Sequence, residues 1–246
     1  MNRRNVLRAQ VAVGAAAALG GAASVAAAAE PRSAGKQAGP LRVHVVMYEG
    51  VEELDFAAPY EVFSAARFFT DREVDVRYVS ASGPGPVRAA YGTQVNVEHA
   101  WAPRTADILL VPGGGYARRD SPGVWAEIRS GVLPGRLAAA VRPGLTVSAV
   151  CTGTMLLAAA GLTTKRPCTT HHKARPDLEK QGGLLKNARV VDDGDLVTAG
   201  GITSGLDLAL WLVRRELGAD AATGVEAMLE YEARGTVWTP PTAGRP

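Results

Sequence analysis

The chain has 246 residues, room for one α/β domain and a leader, and 47% of them are apolar, enough for a sizeable core. Its formal charge of +3 comes from the leader described next, which holds three of the 27 Lys and Arg and none of the 24 Asp and Glu. The remaining charges balance, so no global positive field points to nucleic acid, and two cysteines are too few for a disulfide scaffold.

The N-terminus reads as an export signal over 1–29. Arg3-Arg4-Asn5-Val6-Leu7-Arg8 forms a basic head, an uncharged Ala/Gly-rich stretch runs to Ala29, and small residues precede Glu30-Pro31 in an A-x-A-like cleavage pattern. The adjacent arginines resemble a twin-arginine signal, which predicts a periplasmic or extracellular protein with no stable membrane insertion after processing. Residues 30–40, rich in Pro, Gly, Ser and Lys, read as a flexible linker, and 41–246 as the folded domain.

Leu41–Tyr48 predicts a buried first strand. Phe56–Phe69 has helical spacing, and Val74–Ser80 alternates as a strand. Ala106–Val111 is an apolar strand that enters Pro112-Gly113-Gly114-Gly115. A helical region over 124–141 follows, then a short strand, Leu145–Val150, and a buried helix, Thr152–Ala160. Ala188–Ala199 reads as a hairpin around Asp193-Gly194. Helices over Gly205–Leu217 and Asp220–Tyr231 complete the chain. Strands alternating with helices predict a doubly wound, mostly parallel sheet covered on both faces, with ligands at the carboxyl ends of its strands. The loops after Tyr48, Val111 and Val150 fall there.

Those loops hold the chemistry-bearing residues. Cys151 stands between a strand and a helix among small neighbours, in Ser148-Ala149-Val150-Cys151-Thr152-Gly153. It reads either as a nucleophile elbow, whose helix N-terminus favours the thiolate, or as a small hydrophobe at a tight packing point. Asp55 opens a helix, as an N-cap or as a carboxyl group beside the sulfur. Gly113-Gly114-Gly115 is a turn or a close backbone approach to an anion. His171 and His172 follow Thr169-Thr170, and a histidine in a thiol site serves as a base or orients a partner. No Cys/His/Asp cluster has the spacing of a zinc site.

Taken together, these segments resemble the ThiJ/PfpI superfamily, of class I glutamine amidotransferase-like, flavodoxin-like fold, and within it the isonitrile hydratase-like branch. The resemblance rests on Gly50–Phe63 (GVEELDFAAPYEVF), Val111–Gly114 (VPGG), Cys151-Thr152-Gly153, Thr169-Thr170-His171 and Val197–Leu210 (VTAGGITSGLDLAL), with Glu230-Tyr231, Pro240-Pro241 and Ala243-Gly244 near the end. It implies a cysteine nucleophile at Cys151, with Asp55 as the acid touching its sulfur. Backbone N–H groups of Gly114 and Thr152 would line an oxyanion-type pocket, with His171 nearby.

The implied activity is hydration of an isonitrile, a small-molecule substrate, without a cofactor, by a homodimer. The same superfamily implies two alternatives, glyoxalase or deglycase chemistry on small dicarbonyls and a non-catalytic redox sensor. A histidine directly after the cysteine marks the protease branch, and Thr152 holds that position here. Two residues depart from the branch pattern: Ala58 stands for a glycine, and His172 for a tryptophan, which predicts a reshaped, more polar pocket wall. Strand alternation over Cys168–His171 would turn Cys168 away from the face that His171 presents to the site. No Cys151–Cys168 disulfide is therefore expected.

Overall fold

The computed structural model describes residues 39–241. The predicted export segment, most of the linker and Ala243-Gly244 lie outside the described residues. In chain order the elements are β1 (Leu41–Met47), α1 (Glu53–Ala66), β2 (Val74–Ser80), β3 (Gly85–Arg88), β4 (Gln94–Val97), β5 (His99–Ala100), β6 (Ile108–Val111), α2 (Val124–Ser130) and α3 (Val132–Ala140). They continue with β7 (Thr146–Ala149), α4 (Gly153–Ala159), β8 (Pro167–Cys168), α5 (Arg175–Lys180), β9 (Leu184–Leu185), β10 (Val190–Asp192), β11 (Leu196–Ala199), α6 (Ser204–Leu217), α7 (Ala219–Leu229) and β12 (Val237–Trp238).

Eight strands form one sheet in the order β12-β10-β11-β7-β6-β1-β2-β5. All neighbours are parallel except β10 and β11, the predicted hairpin. The central strands β2-β1-β6-β7-β11 reproduce the flavodoxin-like order 2-1-3-4-5. They are parallel interior strands, so their side chains are buried on both faces: Ile108–Val111 and Leu196–Ala199 are buried throughout. Helices α1, α6 and α7 pack together, as do α2, α3 and α4, and the two groups cover the sheet.

Several expectations shift at their edges. Helix α1 begins at Glu53 rather than Phe56, so Asp55 lies inside its first turn and Glu52 holds the cap position. Pro59 sits within α1, and its missing N–H leaves the carbonyl of Asp55 without the usual helical donor. The region 124–141 is two helices, because Gly131 takes a left-handed φ of 68° between them. The β3–β4 hairpin has no counterpart in the sequence reading.

Candidate active site

Four loops meet at the carboxyl edge of the sheet. The loop after β1 is fixed to the loop after β6: Glu52 N–H donates to the Gly113 carbonyl (2.8 Å), and the buried Tyr48 hydroxyl donates to the Pro112 carbonyl (2.8 Å). The loop after β7 is a sharp elbow in which Cys151 takes φ 57°, a left-handed value that a side chain adopts only when its surroundings hold it there. They do so here. The Cys151 N–H donates to the Gly200 carbonyl (2.8 Å), and its carbonyl accepts from Thr170 Oγ1 (2.8 Å). The fourth loop, Gly200–Thr203 after β11, was given no role by sequence reasoning, although its glycine pair after an apolar strand repeats the signal of Gly113-Gly114.

Asp55 lies directly beneath the elbow and is wholly inaccessible to solvent. Its Oδ2 accepts from Gly113 N–H (2.9 Å), while Oδ1 has no hydrogen-bond partner of normal geometry. Burial pushes this carboxyl up to about 8, against the pull of the Gly113 donor and the Cys151 thiol. At neutral pH Asp55 therefore holds its proton. Cys151 is 6% exposed and opens into the cleft. Burial pushes its thiol up, negative charge on Asp55 pushes it further, and backbone donors at Ile202 and Thr152 pull it down. The expected resting thiolate is thus opposed by desolvation, the larger effect. Protonation of Asp55 removes the repulsion and leaves the two donors aimed at sulfur.

Thr152 is buried, and its hydroxyl accepts the Gly114 N–H (3.1 Å). Gly114 lines the cleft, but its N–H is already engaged, so the polar group this pair offers a substrate is the Thr152 O–H. His171 lines the cleft too. Its Nδ1 accepts from Lys173 N–H (3.3 Å), so the neutral ring carries its proton on Nε2. Burial, His172 and Lys173 all lower its pKa. His171 is accordingly a neutral donor at Nε2 and not a base there. His172 lies beside it, tilted at 36° with ring centroids 4.2 Å apart, but outside the Cys151 cleft, so the polar wall expected from this residue belongs to a neighbouring cavity.

Glu52 is the residue that the sequence reading missed. It lines the cleft of about 180 Å³ with Cys151 and Thr152. Burial, then the neighbouring charge of Glu53, raise its carboxyl. It belongs to the same acidic loop as Asp55, between a strand and a helix, and that placement was the available signal. Ala90 and Tyr91, between β3 and β4, close one side: Ala90 N–H donates to the Val51 carbonyl (2.8 Å) and Tyr91 N–H to Glu53 Oε1 (2.8 Å).

Cys151 and Cys168 are both free. The reason differs from the expected alternation. Strand β8 ends at Cys168, and both Thr170 and His171 then turn toward Cys151. Cys168 is fully buried in a separate apolar cluster with Met155, Ala158, Ala174 and Leu178. Among the described residues no group of His, Cys, Asp and Glu is placed to hold a metal ion, and no helix is long and apolar enough to cross a membrane.

Comparison with known proteins places this arrangement. A model of the DJ-1/PfpI family matches residues 41–215. Isonitrile hydratase of Pseudomonas putida is 32% identical over 195 residues, 78% of each chain. The glutathione-independent glyoxalase DJ-1 of Schizosaccharomyces pombe is 21% identical, over 75% of this chain and 96% of its own. The crystal structure of a ThiJ/PfpI family protein from Pseudomonas syringae superposes with a TM-score of 0.70 at 25% identity, over 83% of this chain and 78% of that one.

Proposed function

The chain belongs to the DJ-1/PfpI family, and from that premise we propose that it is a cysteine-dependent hydratase converting isonitriles to N-substituted formamides. The observation that carries this reading is the pairing of Cys151 with a sealed, proton-holding Asp55 beneath it. An isonitrile needs a proton and a nucleophile at one carbon, and this pair holds one of each. The resemblance to isonitrile hydratase over most of both chains supports the same reading.

The reaction runs in three steps. Sulfur bonds to the terminal isonitrile carbon while Asp55 delivers its proton to that carbon and takes up the thiol proton, giving a thioimidate. Water then adds across the C=N bond. Its oxygen bonds to carbon, one proton passes to Glu52, and the nitrogen receives a proton in return. Glu52 stands in the cleft where the water must add, so the water step falls to Glu52. Finally the C–S bond breaks, its electron pair returns to sulfur, and the hydroxyl proton restores the thiol as the formamide leaves. The Thr152 O–H and the Nε2–H of His171 orient the polar atoms of the adduct.

Dicarbonyl chemistry of the glyoxalase kind calls for a base that moves a proton between carbons, and a His171 with its proton on Nε2 is poorly suited to that. Export by a twin-arginine route and assembly as a homodimer belong to the same proposal. The test is a panel of aryl and alkyl isonitriles given to purified protein beside Cys151→Ala. Formamide should appear with the parent and vanish with the variant. Absence of product from folded protein with a titratable thiol overturns the reading.

A further inference from the structure

The Cys151 cleft, about 180 Å³, is smaller than the roughly 300–1,000 Å³ of ordinary small-molecule sites. At His171 and Ile202 it meets a second cavity of about 590 Å³, which those two residues also line. The second cavity is walled by His172, Arg175, Asn187, Arg189 and Ser204 among others, and no carboxylate lines it.

Its two arginines differ. Arg189 is committed, with Nε on Asp207 and Nη2 on Thr203 Oγ1 (2.8 Å). Arg175 is not. Its Nε is buried without a hydrogen-bond partner, and it belongs to no ion pair among the described residues. The nearest acid in sequence, Asp177, is occupied by the Tyr116 hydroxyl (2.6 Å), Arg119 (3.5 Å) and Lys180 (3.8 Å). Arg175 thus brings a positive charge with no acid beside it to the wall of a cavity that holds no carboxylate, and an oxyanion there would supply the missing counter-charge. The departure at His172 falls on the same wall and places a polar ring there.

We infer that the cavity around Arg175 and His172 is a subsite for an oxyanion, a carboxylate or phosphate, carried on the same small molecule that reacts at Cys151. The substrate class is then a reactive carbon at one end and an anionic tail at the other. This rests on Cys151 being the reacting group, but not on which reaction it performs.

The experiment uses the sulfur as its own reporter. Cys151 is alkylated with iodoacetyl-amino acids of increasing chain length, each paired with its uncharged carboxamide. The carboxylate member should react faster by about tenfold at the length that reaches Arg175, the scale of one charge-assisted hydrogen bond. Arg175→Gln should bring that ratio close to one and leave the carboxamide rate unchanged, which also reports intact folding, and Arg175→Lys should keep part of the preference. Millimolar inorganic phosphate should slow only the carboxylate reagents. Equal rates at every length overturn the subsite, as does a preference that survives in Arg175→Gln. Phosphate binding without tail preference also overturns it, because the site would then serve a free anion. If isonitriles are not hydrated yet the tail preference stands, the hydratase reading falls and the subsite remains.

Discussion

At the scale of single residues, the proposed mechanism divides its proton work between two acids that differ in access to water. Burial pushes the Asp55 carboxyl up to about 8 in the fold, from an ordinary value of 3.8. A carboxyl raised on folding adds stability that is fully present below about 4 and is lost as pH rises through about 8. Asp55→Asn keeps a neutral group of the same shape and cannot ionise. Urea midpoints should therefore show the variant gaining on the parent across that window, while its turnover falls at least about a hundredfold. A constant difference in midpoint from pH 4 to 8 would mean that Asp55 is ionised in the fold. Glu52→Gln should act later in the cycle. Adduct formation on Cys151 proceeds and water addition slows by about a hundredfold, so intact-mass spectra of the mixed protein and isonitrile should show accumulated thioimidate. Slow turnover with no adduct would place Glu52 before the covalent step.

At the scale of elements, the sequence announced what apolar pattern controls and was silent on what packing controls. The five central strands and the long helices were legible because parallel interior strands are continuous apolar runs, and α6 carries its buried residues at helical spacing. The elbow at Cys151 was legible from its small neighbours. The β3–β4 hairpin was not, because Gly85-Pro86-Val87-Arg88 carries a turn-like composition and gains its order by pairing with β4 and by the Ala90 and Gly50 backbone bonds to its neighbours. The roles of Glu52 and Arg175 depend on which cavity wall each reaches, and spacing along the chain does not encode that. Gly153, the first residue of α4, shows how tightly these elements are set: a Cβ there would overlap the carbonyl oxygens of Val111 and Pro112. Those atoms are backbone at the end of β6 and the start of its loop and cannot rotate aside. Gly153→Ala should lower stability by about 1–3 kcal/mol and slow Cys151 alkylation, as α4 is pushed from β6. Thermal melts beside the alkylation rate check this, and an unchanged melt would show that the loop yields at no cost.

At the scale of the whole molecule, the proposed export route and the state of the two thiols bear on each other. An oxidising compartment threatens a protein whose proposed activity requires a free cysteine. Here Cys168 is fully buried, and Cys151, which opens into the cleft, sits in a separate cluster, so the folded chain offers Cys151 no partner thiol. An unfolded chain crossing into that compartment would have both thiols open to pairing and mixed disulfides. A route that carries folded proteins delivers the chain after its thiols are enclosed, which gives the Arg3-Arg4 pair a reason beyond its sequence pattern. Two outcomes follow. Substituting Lys for both Arg3 and Arg4 should retain the precursor inside the cell, read by fractionation and blotting. Rerouting the domain through an unfolded-chain signal should yield exported protein in which a sizeable share of Cys151 is blocked, whereas the native leader yields material with both thiols titratable after denaturation under non-reducing conditions. Equal free-thiol content by the two routes would show that folding outruns oxidation, and that the leader was not selected to protect the nucleophile.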